Sequence, residues 1–233
     1  MIKNIVSSGC SFVVGVGCLS PNNTRLSALF AKRYNAEDIN LAKSGGSNDR
    51  IVRKIVNWIV GHKDKLDETL FLIGVSEPKR FEIWAEDDNG VYQDARGYRY
   101  SRKRGRYHRD ISDAYNVEMS VEATLRNIFL LTTLFEKYNC KYLIFDSIDN
   151  IKKITRRKDK YFDVVFGNKN YYSQESWMEF CLPRGKGLLA AEDERMLIGA
   201  SKEYKEDWRH PSTKGNQKWF EVLIDYVEEN KLW

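Results

Sequence analysis

Two periods of apolar residues alternate along the chain. Short continuous apolar runs occur at residues 2–8, at "EDINLA" (37–42), at "ETLFLIGV" (68–75) and at "CKYLIFDSI" (140–148), and each predicts a buried strand. Between them the spacing changes to that of helices. "TRLSALFAKRY" places Leu26, Leu29, Phe30 and Tyr34 on one face, with Thr24 as the expected cap. "SNDRIVRKIVNWIV" aligns Ile51, Ile55 and Ile59, "SVEATLRNIFLLTTLFEKY" predicts a long helix, and the closing "STKGNQKWFEVLIDYVEEN" carries a stripe of Trp219, Val222, Leu223, Tyr226 and Val227.

Strands alternating with helices imply an α/β protein: a three-layer α/β/α sandwich around a flavodoxin-like parallel sheet, because right-handed crossovers lay helices on both faces. Ligands of such sheets bind beyond the carboxyl ends of the strands. Ser11, Ser44 to Asn48 and Gly74 to Glu77 all follow strands and are expected on one rim. No linker composition divides residues 1–233, so one domain is expected. Two segments interrupt the alternation, 85–118 and 150–206, and read as insertions over or beside that rim.

Composition narrows the class. The chain is 42% hydrophobic and 30% charged, with no apolar run near the roughly 18 to 20 residues that span a bilayer, so no membrane segment is expected. The opening "MIKNIVSSGCSF" lacks the features of a secretory leader, which points to the cytoplasm. Cys10, Cys18, Cys140 and Cys181 are irregularly spaced and read as buried free thiols rather than a zinc site. A formal charge of +5 is mild, but "DARGYRYSRKRGRYHRD" (94–110) gathers seven Arg or Lys with three tyrosines. That pattern suits a polyanion, either an acidic glycan or a nucleic acid, and equally suits a solvated hairpin. Nucleotide-binding glycine motifs and carboxylate clusters are absent from the sequence, so neither metal nor cofactor is expected.

The candidate chemistry lies in four short stretches. Gly9-Cys10-Ser11 is a small-residue turn at a strand end, where a serine can be a nucleophile or merely a cap. Cys10 beside it should turn inward as a packed thiol. Asp207 precedes His210 by three residues, ahead of the last helix, which would let a carboxylate hold one imidazole nitrogen while the other faces a serine. His62, at a helix end, reads as a solvated charge partner of that terminus, and His108 has no evident partner.

Taken with "NLAKSGGSN" and "LIGVSEPKRFEIW", these stretches resemble the SGNH, or GDSL-type, hydrolase superfamily in order and spacing. The resemblance covers nearly the whole chain through short motifs. It implies Ser11 as nucleophile, with Asp207 and His210 completing a triad. It implies the N–H groups of Ser11 and Gly45 as oxyanion donors. Two departures stand out: Cys10 replaces the aspartate of Gly-Asp-Ser, and the third block reads Gly74-Val75-Ser76-Glu77, with a serine where the family has its asparagine. Either Ser76 or Asn48 could stand in for the lost amide donor. The run "SEPKRFEIW" resembles SGNH-like proteins of bacteriophages, which implies Arg80 and Glu82 as pocket residues; a surface ion pair is the plain alternative.

The leading expectation is therefore a serine-dependent ester hydrolase acting on a small ester or an acylated glycan, in host cytoplasm or virion if the origin is a phage. A non-catalytic binding protein on the same scaffold, such as a virion or host-interacting component, is the alternative. Polyanion binding through 94–110 is the third.

Overall fold

The computed structural model describes residues 1–84, 92–96, 117–155, 160–181 and 210–233, with the backbone alone of 83–84 and 92–96. Five strands form the main sheet: β1 (Asn4–Ser8), β2 (Glu37–Asn40), β3 (Thr69–Val75), β6 (Lys141–Asp146) and β7 (Tyr171–Tyr172). Their order is β2-β1-β3-β6-β7, and every neighbouring pair is parallel. The expected mixed α/β fold with a parallel sheet is what the chain adopts.

The sheet divides the core in two. Because side chains alternate along a strand, Leu70 and Leu72 of β3 join Ile5, Leu143 and Phe145 on one face. There they pack against Leu26 and Phe30 of α3 (Leu26–Tyr34) and Trp219, Leu223 and Val227 of α9 (Thr213–Asn230). Phe71, Ile73 and Val75 occupy the other face with Val6, Tyr142 and Ile144. They meet Ile51, Ile55 and Ile59 of α4 (Asn48–Gly61), and Leu125, Ile128 and Phe135 of α5 (Val117–Lys137). Trp219, Phe30 and Phe71 are fully buried, and each such side chain stabilises the fold by about 1.5–3 kcal/mol. Burial on both sides explains why β3 reads as an unbroken apolar run.

Helix starts follow local chemistry. Ser47 Oγ accepts from Arg50 N at 3.2 Å to cap α4, and Ser212 Oγ accepts from Gly215 N at 3.1 Å to cap α9. Thr24, expected as a cap, instead ends a separate turn, α2 (Pro21–Thr24), and its hydroxyl donates back to Ser20 O. Pro21 at the first helical position starts that turn, and extended Arg25 then opens α3.

The interrupting segments are only partly described. Residues 80–84 (β4, Arg80–Trp84) pair antiparallel with β5 (Tyr92–Arg96), so a hairpin starts before position 85. The rest of the basic stretch, with His108, lies outside the described residues. Within 150–206, α6 (Ile151–Ile154), α7 (Phe162–Phe166) and α8 (Trp177–Cys181) surround β7, and β7 is the edge of the main sheet rather than an addition over its rim. All four cysteines are buried, and none forms a disulfide among the described residues. Among the described residues no helix is long and apolar enough to cross a membrane.

Candidate active site

Three turns converge beyond the carboxyl ends of β1, β2 and β3. The first is Gly9-Cys10-Ser11, which passes directly from β1 into the short helix α1 (Ser11–Val14). Space forces its composition. A Cβ on Gly9 would clash with Val13 Cγ2 and lie 3.0 Å from Gly74 O, and one on Gly74 would lie 2.5 Å from both Val13 Cγ2 and Ser147 Oγ. Two residues without side chains thus let α1 begin between β1 and β3. Cys10 is fully buried in the apolar cluster with Phe12 and Leu26, as a packed thiol.

Ser11 is 4% exposed, and its Oγ lies 2.8 Å from His210 Nε2. The histidine arrives from the other end of the chain, just ahead of α9. Its loop is fitted against residues 16–19. A Cβ on Gly17, which has φ +106°, would stand 2.5 Å from Pro211 O and 3.2 Å from His210 Cβ. Leu19 N donates to Thr213 Oγ1 at 3.1 Å, and the Phe12 ring packs against the imidazole at 5.6 Å between centroids. Asp207, the expected orienting carboxylate, lies outside the described residues.

The second turn is residues 41–47. Leu41 N donates to Ser7 O and Lys43 N to Gly9 O, which ties the loop to the Ser11 turn. Gly45 has φ +80°, the left-handed conformation that glycine adopts without strain. Its N–H has no acceptor among the described residues. The N–H of Ser11 opens a helix and has no intrahelical carbonyl to meet.

The third turn follows β3. Asn48, at the start of α4, grips the backbone of Ser76 from both sides: Ser76 N donates to Asn48 Oδ1 at 2.8 Å, and Asn48 Nδ2 donates to Ser76 O at 3.1 Å. The second Nδ2 hydrogen goes to Thr124 Oγ1 at 3.1 Å. The Asn48 amide is therefore spent on structure and has no donor left for an oxyanion. Nothing in the sequence signals this clamp, since its partners lie 28 and 76 residues away.

Arg80 and Glu82 part company. Arg80 is 9% exposed and donates from Nη1 to Ser76 Oγ at 3.1 Å and from Nε to Glu77 Oε2 at 3.3 Å. Glu82 instead faces α4, where Arg53 takes both its oxygens, Nε to Oε2 at 2.9 Å and Nη2 to Oε1. Its carboxylate is thus committed to joining β4 to α4. His62 is half-buried at the end of α4, with Nδ1 2.9 Å from Trp58 O in the last turn and its ring stacked on Trp58, so it partners that terminus as expected while also packing on it.

A buried acid adjoins this rim. Asp146 ends β6, paired in register with Val75. It is fully buried, accepts from Tyr171 Oη at 2.5 Å and from Ile151 N at 3.0 Å, and burial pushes its pKa up to about 7. Nearby Asp149 is also raised, chiefly by burial and then by the charge of Glu77, with Arg80 opposing. A cleft of about 700 Å³ lies at the opposite end of the sheet, beside Glu136, Tyr142 and Asn168, and none of the site residues lines it.

The fold defines the chain as an α/β protein built on a five-stranded parallel sheet. It belongs to the family of unknown function DUF6071, whose model matches residues 22–231. Among solved structures it is similar to TesA, with 14% identity and a TM-score of 0.51 over 98% of this chain and 99% of that one. The psychrotrophic esterase EstA from Pseudoalteromonas sp., in a structure inhibited by monoethylphosphonate, is 12% identical with a TM-score of 0.49 over 97% of each chain. No curated protein sequence matches the chain.

Proposed function

We propose that the chain is a serine-dependent ester hydrolase with Ser11 as nucleophile and His210 as general base. The observation that carries this reading is the 2.8 Å approach of His210 Nε2 to Ser11 Oγ at the carboxyl ends of parallel strands. In the forward step Ser11 Oγ bonds to the ester carbonyl carbon while its proton passes to Nε2. The negative charge that develops on the carbonyl oxygen is met by the N–H groups of Ser11 and Gly45, neither of which has an acceptor among the described residues. Collapse expels the alcohol, which takes the proton from the imidazolium and leaves an acyl-serine. Water then repeats the sequence and releases the acid. Asp207, three residues before His210, is the orienting carboxylate in this reading. The substrate class is a small ester, with an O-acylated glycan as the form that the SGNH resemblance implies.

The test is covalent. A fluorophosphonate should label wild-type protein at Ser11, and p-nitrophenyl acetate should be hydrolysed. Ser11→Ala and His210→Ala should each lose activity while keeping wild-type thermal stability. Equal hydrolysis by wild type and Ser11→Ala, or no labelling of Ser11, would sink the assignment and leave the fold as a binding scaffold.

A further inference from the structure

We infer that Arg80 is a positioning residue that makes the hydroxyl of Ser76 the third donor to the oxyanion, in place of the amide that the third sequence block lacks. The inference rests on the serine-hydrolase reading above. Ser76 is fully buried, and its backbone polar groups and one lone pair of its hydroxyl have partners. Its N–H and C=O are held by Asn48. Its Oγ accepts from Arg80 Nη1 at 3.1 Å. A serine hydroxyl has one hydrogen and two lone pairs, so with the guanidinium on one lone pair the hydrogen must point away from Arg80. Among the described residues no acceptor receives it.

The placement of that hydrogen follows from the sheet. Ser8 pairs in register with Ile73, and Ser11 and Ser76 each lie three residues beyond that pair. The two turns leave adjacent strands side by side, pressed together at Gly9 and Gly74. A donor on Ser76 therefore stands beside the nucleophile's turn, where Asn48 cannot serve.

Arg80 also changes the strength of the donor. Guanidinium stays charged at all working pH values, and its side chain here is 8% exposed, so its field is little screened. Drawing electron density toward Nη1 strengthens the bond the hydroxyl gives on its other side. The arginine is fixed by Glu77, whose carboxylate takes Nε and whose carbonyl accepts from Arg80 N at 3.1 Å. The turn Ser76-Glu77-Pro78-Lys79-Arg80 thus closes on itself, and the guanidinium bonds the hydroxyl four residues back.

The test is a double-mutant cycle on Ser76 and Arg80 with two readouts: kcat and KM for p-nitrophenyl acetate, and the rate of fluorophosphonate labelling at Ser11. Ser76→Ala should lower kcat by about 100-fold with KM little changed, as for other oxyanion donors. Arg80→Met should lower kcat about tenfold, the effect of one charge-assisted hydrogen bond. In the Ser76→Ala background Arg80→Met should have no further effect, because the arginine acts through the hydroxyl. Ser76→Thr, which keeps the hydroxyl, should retain most of the rate. Should Arg80→Met not fold, Arg80→Lys takes its place in the cycle and should lower kcat by less than about tenfold. Full additivity of the two substitutions, or a Ser76→Ala variant that hydrolyses p-nitrophenyl acetate and is labelled at the wild-type rate, overturns the inference alone. Absence of Ser11 labelling in the wild type overturns the hydrolase reading beneath it.

Discussion

Asp146→Asn replaces a fully buried carboxyl with an uncharged group of the same shape. The amide oxygen can accept from Ile151 N as Asp146 Oδ2 does, and the amide nitrogen can donate to Tyr171 Oη. In the folded protein burial raises the Asp146 pKa from 3.8 to about 7. Three pH units at about 1.4 kcal/mol each make roughly 4 kcal/mol. The sign follows from proton binding. Between pH 4 and 7 the folded chain holds a proton that the unfolded chain has released, so this group's contribution to stability is full below pH 4 and is lost as pH rises toward 7. Wild type should therefore lose stability through that window relative to Asp146→Asn, by about 1.4 kcal/mol per pH unit, with the difference levelling above pH 7. Urea unfolding followed by the fluorescence of the buried Trp177 and Trp219 measures both proteins across pH 4 to 8. Parallel stability curves would falsify the claim that Asp146 holds its proton in the folded state.

Gly17→Ala should add a Cβ against Pro211 O at a left-handed position and shift the His210 loop. A displacement of about 1 Å there should cost about 100-fold in kcat, while thermal unfolding changes by only a few degrees; wild-type kinetics would show that the loop is not held by this contact. Asn48→Ala should leave the Ser76 N–H and C=O unpaired in the interior and destabilise the protein by about 3 kcal/mol, read as a lowered urea midpoint. An unchanged midpoint would mean that water replaces the clamp.

Much of this architecture is legible in the sequence, for reasons that differ by element. β3 and β6 lie between two helical layers, so nearly all their residues must be apolar, and the run itself is the signal. α4 buries Ile51, Ile55 and Ile59 at the helical repeat. β7 contributes two residues, too few for any period, and its membership of the sheet depends on pairing with Ile144 and Phe145. At the site, the Ser11 turn shows itself through small residues at a strand end, and His210 through its place before a capped helix. The partners of Asn48 and Glu82 carry no such mark. An asparagine at a helix start looks the same whether it faces a ligand or a neighbouring turn, and Glu82 looks pairable with Arg80 until α4 brings Arg53 to it.

Ser11 and His210 are 199 residues apart in the chain, yet they share a hydrogen bond. During synthesis the turn that carries Ser11 emerges long before the helix that seats the histidine. Any chain stalled, clipped or frayed before α9 docks keeps Ser11 without its His210 partner. The Ser11–His210 contact is thus a seam between two distant stretches of the chain, made only once α9 has docked. Under the hydrolase reading, a serine-directed probe would therefore count molecules in which α9 has docked, and reactivity toward esters would be withheld from every intermediate in which it has not.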